Sequence, residues 1–407
     1  MRTFSRRQIL ALGGQTFLLA LANCANNTPI SAPTATVPNA TVTPHAPTST
    51  VTAKSDTMPT TNETALDAKI GQMLLLGFRG YELNPDDAIV QDLRERNLGA
   101  VVFFSYDSEL KKFERNIASP AQTQALNASL QAYAQTPLLI TIDQEGGIVS
   151  RLSEQFGFPP TQSQEFYGTK NDIALTRAAA EAEGKILRDV GINLNLAPVV
   201  DVNLNPHSPA IGKNQRSFSA DPHIVTAHAR ATIEGYHSQN ILTTLKHFPG
   251  HGSAASDSHL GFVDVTTTWQ ELELEPYREL IRAGLADAIM TAHIFNANLD
   301  AQYPATLSRK IITGILREQL GYDGVVMSDD MQMGAISRYY GFEQAIELAI
   351  NAGVDMLALA NNLAYDPTIG ARAFGVIKQL VSDGKISEQR IDESYQRILR
   401  LKARLKH

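Results

Sequence analysis

Eight short apolar runs, separated by amphipathic helical stretches, restrict this chain more than any other feature. They are Met73 to Phe78, Gly99 to Phe104, Leu138 to Asp143, Ile192 to Val202, Ile241 to Phe248, Ala288 to His293, Gly324 to Asp330 and Met356 to Ala360. Each is rich in Val, Ile and Leu, with little of the alternation that a half-exposed strand shows. Near-continuous apolar strands belong to parallel sheets covered on both faces. Helical patterns lie between them, among them Ile173 to Asp189, Asp221 to Gln239, Trp269 to Gly284, Leu307 to Leu320 and Phe342 to Gly353. The expected class is α/β, and eight such units in about 340 residues fit a single (β/α)8 barrel with some insertions. A doubly wound open sheet is the alternative. No Gly-x-Gly-x-x-Gly follows the first run, so dinucleotide binding has no support.

Polar residues gather at the C-terminal ends of these runs: Asp143, Asp201, Lys246 with His247, His293, and Asp329 with Asp330. Barrel active sites are built at that end of the strands, so one pocket can collect them all. The densest stretch is Lys246-His247-Phe248-Pro249-Gly250-His251-Gly252, followed by Asp257-Ser258-His259. Pro and Gly end the strand there and force an irregular loop. So many ionisable groups at one strand end are rarely placed for packing alone.

The net charge of −7 and the lack of a basic stripe exclude a nucleic-acid partner. The single cysteine, Cys24, forbids an intrachain disulfide. Cys24 ends a stretch with targeting character. Arg2, Arg6 and Arg7 precede an apolar run, Ile9 to Ala22, that is too short to span a membrane comfortably. Ser5-Arg6-Arg7-Gln8-Ile9-Leu10 resembles a twin-arginine export signal. Leu21-Ala22-Asn23-Cys24 resembles a bacterial lipobox, with Asn23 in place of a small residue. Residues 1–23 are therefore expected to be a lipoprotein signal peptide, with lipidation at Cys24. A signal anchor or an ordinary signal peptide is the alternative. Residues 24–64 are rich in Thr and Pro and poor in large apolar side chains. They cannot bury enough surface to offset ordering entropy and are expected to be a disordered linker. Residues 65–407 hold the barrel. The expected location is the outer face of the bacterial cytoplasmic membrane or cell envelope, held through the N-terminal lipid anchor.

The strand-end residues suggest glycosyl transfer to a carboxylate. Asp329 follows Val325-Val326-Met327-Ser328, where it can attack a sugar carbon and form a covalent intermediate. The competing role for Ser328-Asp329-Asp330 is a helix N-cap, assigned here to Asp330. The leaving oxygen must also be protonated. His259 lies two residues beyond Asp257, so in extended chain the carboxylate can orient the imidazole. A solvent-exposed loop histidine is the alternative. Asp143-Gln144-Glu145-Gly146-Gly147 offers a tight turn near a ligand. Asp143 can accept from sugar hydroxyls, and Arg151, Arg216 and Lys246 can donate; an ion-pair network at the barrel mouth is the alternative. His247, His251, Asp257, His259 and His293 admit a metal reading. The spacing of His247 and His251 across Phe-Pro-Gly is not helical, and the metalloprotease glutamate is missing. No metal or other cofactor is expected.

Together these motifs resemble bacterial β-N-acetylglucosaminidases of glycoside hydrolase family 3, over essentially all of Ala65 to His407. Ala197-Pro198-Val199-Val200-Asp201-Val202, Arg216-Ser217-Phe218 and Met290-Thr291-Ala292-His293 match as well, in the family's order. The resemblance implies retention of anomeric configuration and removal of a terminal β-linked N-acetylglucosamine. It implies Asp329 as nucleophile and His259 with Asp257 as an acid/base dyad on a mobile loop. Asp143, Arg151, Arg216, Lys246 and His247 match residues that hold the sugar. Peptidoglycan fragments are the implied substrates, and the protein is expected to act as a monomer without a second catalytic domain. Ile148 departs from the basic residue expected there, and Gly212-Lys213-Asn214-Gln215 is longer than usual. Two other functions remain open on this reading: phosphorolysis of the same bond, and sugar binding without cleavage by a surface lipoprotein.

Overall fold

The computed structural model describes residues 61–405. The expected export signal, the Cys24 lipidation site and residues 24–60 of the linker lie outside the described residues. The first helix, Thr61–Gln72, takes in the last residues assigned to that linker.

All eight strand candidates form strands. We label them β1 (Leu74–Gly77), β2 (Ala100–Phe103), β3 (Leu139–Ile142), β4 (Leu194–Asn195), β5 (Leu242–Phe248), β6 (Ala288–Thr291), β7 (Val325–Met327) and β8 (Leu357–Leu359). Each pairs in parallel with the next, and β8 pairs in parallel with β1. A single parallel bridge from Met327 to Met356 joins β7 to β8 and brings the ends of the sheet together. The arrangement is a nearly closed barrel. Every residue of these strands is buried, which accounts for their unbroken apolar character.

Helices return the chain between strands, and local sequence starts them. Asp221 accepts from the His223 N–H, with Pro222 in the first turn of Pro222–Ser238. Asp172 caps Ile173–Asp189 through the Leu175 N–H. Gly353, at φ +119°, ends Phe342–Ala352 in the left-handed conformation that favours glycine.

Three expectations need correction. The run Ile192 to Val202 yields only a two-residue strand, because Pro198 has no N–H to give the ladder. Beyond it the chain touches β5 again, at the Val199–Lys246 bridge. The stretch Trp269 to Gly284 divides into a 3-10 turn, Glu271–Leu274, and a helix, Glu275–Arg282, with Pro276 at the junction. Residues Lys310–Gln319 form a π-helix rather than an α-helix.

The N-terminal end of the barrel is held by a buried charge cluster. Asp355, just before β8, is completely enclosed and receives Arg317 at 2.6 Å, Arg390 at 3.1 Å and Arg397 at 3.4 Å. It also accepts from the Ser394 hydroxyl and the Val326 N–H. Two helices, Lys310–Gln319 and Glu388–Lys402, and the β7–β8 seam thus meet at one carboxylate. Asp355→Ala leaves the arginines without their shared anion, so unfolding free energy should fall by roughly 3–5 kcal/mol. Urea denaturation measures this, and a loss below ~1 kcal/mol would mean that solvent screens the cluster.

Candidate active site

At the C-terminal end of the strands lies a cavity of about 290 Å³. Asp143, Arg151, Arg216, Lys246, His247, Asp257, His259 and Asp329 all line it. These are the eight residues expected to act on or hold a sugar. They come from the ends of β3, β5 and β7 and from the loops between strands.

β5 delivers two of them. Its register against β6 shifts between Leu245 and Phe248. That irregularity re-aims the strand end, so the consecutive Lys246 and His247 both reach the cavity. The following turn is packed too tightly for side chains at two positions. A Cβ on Gly252 would lie 1.7 Å from the Val202 carbonyl oxygen, and one on Gly250, at φ +121°, would meet Glu273. The glycines of the Pro-Gly-His-Gly stretch are therefore steric requirements.

Gln144–Gly146 and Val149–Ser150 pair as a short antiparallel hairpin above β3. Gly146 and Gly147 take φ +89° and +60°, as the turn needs. The Gln144 side chain accepts from the Arg151 and Leu152 N–H groups and donates to Ser150 and Glu183, which closes the hairpin. Ile148 stands 64% exposed at the hairpin tip and does not line the cavity. The stretch 212–215 folds as a 3-10 turn with Gln215 at φ +55°, and Arg216 follows it.

The expected sugar-holding cations are paired with one another's carboxylates. Lys246 Nζ lies 2.7 Å from Asp143 and 2.6 Å from Glu145. Arg216 grips Glu145 through two bonds of 2.7 Å. Arg151 stands 3.6 Å from Asp143. The network and the cavity lining are thus the same residues. Burial alone would raise both carboxyls, but Lys246 and Arg151 at Asp143, and Arg216 and Lys246 at Glu145, hold each below its ordinary value. Glu145, which the sequence reading left without a role, is the centre of this network. Its signal was the even spacing from Asp143 on one strand face.

Asp201, at the end of the third βα crossing, also had no assigned role. It is fully buried and accepts from His247 Nδ1 at 2.8 Å and from the His251 N–H at 2.7 Å. Arg216 can only donate, so its 3.3 Å contact makes His247 Nε2 an acceptor and puts the ring proton on Nδ1. His293 does not line the cavity. Its Nε2 donates to the Asp330 carbonyl at 3.0 Å, and its Nδ1 meets Thr306 at 2.8 Å. Among the described residues, no group of three His, Cys, Asp or Glu side chains is arranged to hold a metal ion.

Asp329 occupies the floor, beyond β7. Burial pushes its carboxyl up, but His293, His247, His259 and the Asp330 N–H together hold it below the ordinary carboxylate value. Asp330 does not cap a helix as expected. It accepts from the Gln332 and Ala360 N–H groups and so ties the end of β7 to that of β8. The next helix, Gly334–Ser337, begins at Met333 with no side-chain cap. Burial raises the Asp330 carboxyl to about 6.

Asp257 and His259 pair as expected, though not in extended chain. One Asp257 oxygen accepts both the His259 N–H at 3.0 Å and Nδ1–H at 2.8 Å, a local turn rather than a strand. Nε2 is left to carry the exchangeable proton. Desolvation lowers the His259 pKa, but the Asp257 bond and the Asp329 charge outweigh it and raise the group above its ordinary value. Asp257 itself falls to about 2, mainly through its bond to His259. Two titratable groups in one cavity are thus pushed apart, the carboxyl toward its anion and the imidazole toward its cation.

Comparisons with known proteins agree with this geometry. The family model "Glycosyl hydrolase family 3 N terminal domain" matches residues 65–401. A beta-hexosaminidase of Tolumonas auensis is 37% identical over 296 residues, covering 72% of this chain and 83% of the relative. One from Xylella fastidiosa strain M23 is 38% identical over 308 residues, covering 74% and 87%. The match to beta-hexosaminidase A of Pseudoalteromonas piscicida, at 35% identity, covers 72% of this chain but spans 52% of that longer protein. Among solved structures, a glycoside hydrolase family 3 beta-N-acetylglucosaminidase from Paenibacillus sp. FPU-7 is 37% identical with a TM-score of 0.76, covering 83% of this chain and 62% of its own. The beta-N-acetylhexosaminidase of Beutenbergia cavernae is 28% identical with a TM-score of 0.75, covering 83% and 98%. With a family model spanning most of its length, over the same residues that form the barrel and its cavity, this chain belongs to glycosyl hydrolase family 3.

Proposed function

We propose that this protein is a retaining exo-β-N-acetylglucosaminidase acting on peptidoglycan fragments or related oligosaccharides. One observation carries the reading. A single cavity holds a partly buried carboxylate held below its ordinary pKa, Asp329, and a histidine raised above its ordinary pKa by a partner aspartate, His259. Asp329 attacks the anomeric carbon and forms a glycosyl ester. His259 Nε2 delivers its proton to the leaving oxygen, while Asp257 stabilises the imidazolium. The neutral imidazole then takes a proton from the water that hydrolyses the ester, which restores both groups. Asp143 and Arg151 are the more open members of the ion-pair network, placed to meet sugar hydroxyls, while Lys246, itself held by Glu145, fixes Asp143. The names of the relatives support the acetamido sugar as the group removed.

Wild type should release 4-nitrophenol from its β-N-acetylglucosaminide and not from its β-glucoside. Asp329→Ala should lower kcat/KM by at least about 10³-fold, roughly 4 kcal/mol of transition-state stabilisation. A wild type that binds the sugar without releasing nitrophenol would sink the enzyme reading.

The pH profile supplies a second check. Activity requires ionised Asp329 and protonated His259. The acid limb of kcat/KM should therefore lie below the ordinary aspartate value of about 3.9, and the alkaline limb above the ordinary histidine value of about 6.5. Asp257→Asn removes the bond that raises His259, so the alkaline limb should move down. An unmoved alkaline limb in that variant would separate it from His259.

Export and lipid anchoring belong to the same proposal and are supported by the sequence of residues 1–24 alone. The full chain should incorporate labelled palmitate in a bacterial host, and Cys24→Ser should not. Equal labelling of both would end the anchor reading.

A further inference from the structure

Glu273 lies outside the cavity, in the turn Glu271–Leu274 between β5 and β6, and is completely buried. One oxygen accepts the Gly252 N–H at 3.0 Å, and the other faces the Gln270 N–H at 3.4 Å. Gly250 packs so closely that a Cβ there would lie 2.6 Å from the Glu273 Cβ. Burial pushes this carboxyl up to about 7, opposed by the Gln270 and Gly252 N–H groups, and Asp201 raises it further. Enclosing a carboxyl with only neutral donors is costly, and packing alone would be better served by an apolar side chain.

The turn it grips leads to the dyad. Two enclosed carboxyls receive successive N–H groups, Asp201 that of His251 and Glu273 that of Gly252. The His251 imidazole, held neutral because burial lowers its pKa to about 4, reaches forward with Nε2 to Ser258 Oγ at 3.3 Å. Ser258 sits between Asp257 and His259. Asn205 holds the intervening chain through the Gly252 and Ala254 carbonyls. At its far side the loop is held by the Ala335 and Gly334 N–H groups on the Ser258 and His259 carbonyls. The root is therefore fixed from below by Glu273 and the tip from the side by the segment after β7.

We propose that Glu273 is a positioning residue for the acid step: by holding the Gly252 N–H it fixes the loop root and so sets where His259 stands against the leaving oxygen. This rests on the glycosidase reading above. A misplaced acid costs most where the leaving group needs a full proton and least where it departs unaided.

The test compares kcat/KM on 4-nitrophenyl β-N-acetylglucosaminide and on N,N′-diacetylchitobiose for wild type, Glu273→Ala, Glu273→Gln, His259→Ala and the Glu273→Ala/His259→Ala double variant. Glu273→Ala should lose about 10-fold or more on the disaccharide and less than ~2-fold on the aryl glycoside. Glu273→Gln keeps an oxygen for the Gly252 N–H and should recover much of the loss. The double variant should be no slower on the disaccharide than His259→Ala, because both changes remove the same function. Equal losses on the two substrates, or additive losses in the double variant, would overturn the proposal. Should Glu273→Ala fail to fold, Glu273→Met, which fills the space but cannot hold the Gly252 N–H, takes its place: a selective loss on the disaccharide supports positioning, and an unchanged ratio overturns it. Equal losses in His259→Ala itself would instead overturn the acid role of the dyad. A selective loss there, without one in the Glu273 variants, would overturn only the role of Glu273.

Discussion

The mouth of the barrel depends on one ammonium group. Lys246 is almost wholly enclosed between Asp143 and Glu145. None of the three charges is tolerable there alone, because removing any one leaves the others desolvated and uncompensated. From this centre the constraints run outward. Glu145 fixes both arms of Arg216, and Arg216 fixes the tautomer of His247. His247 shares Asp201 with the turn that leads to the dyad. The ion-pair network at the cavity and the loop that carries Asp257 and His259 are consequently one connected set of hydrogen bonds, not two neighbouring sites.

The proposed reacting pair is more open, with the His259 side chain 53% exposed. Desolvation opposes both the Asp329 anion and the His259 cation, yet the nearby opposite charge and each group's own partners shift both toward the charged form. Two carboxylic acids would reach this division less readily, since like charges in one cavity raise each other's pKa. An imidazole solves the problem with opposite charge. In the proposed mechanism Asp257 favours the cation without competing for the sugar carbon.

Much of the fold was legible because the relevant signals were local. All eight strands could be read from buried apolar runs, and Pro198 carried the sign that the fourth would break. The dyad could be read because its members lie two residues apart, although a turn rather than an extended chain joins them. Asp330 was misjudged because its partner, the Ala360 N–H, belongs to the neighbouring strand end and leaves no local mark. The roles of Asp201 and Glu273 escaped for the same reason, whereas Glu145 had a local mark in its spacing from Asp143. Each acts on groups distant in sequence, and only closing the barrel brings them together. The π-helix at Lys310–Gln319 has no pattern in the sequence that distinguishes it from an ordinary helix.

One arrangement separates two properties that many enzymes couple. On the proposed mechanism the nucleophile Asp329 directly follows β7 and Lys246 lies on β5, whereas the proton donor His259 rides on a loop. On that mechanism, substitutions within residues 253–262 would retune how poor a departing alcohol is tolerated, while the identity of the sugar removed would stay with the barrel. A lineage of such proteins is thereby free to explore new linkages and acceptors by editing ten residues, with the recognition of its monosaccharide held constant.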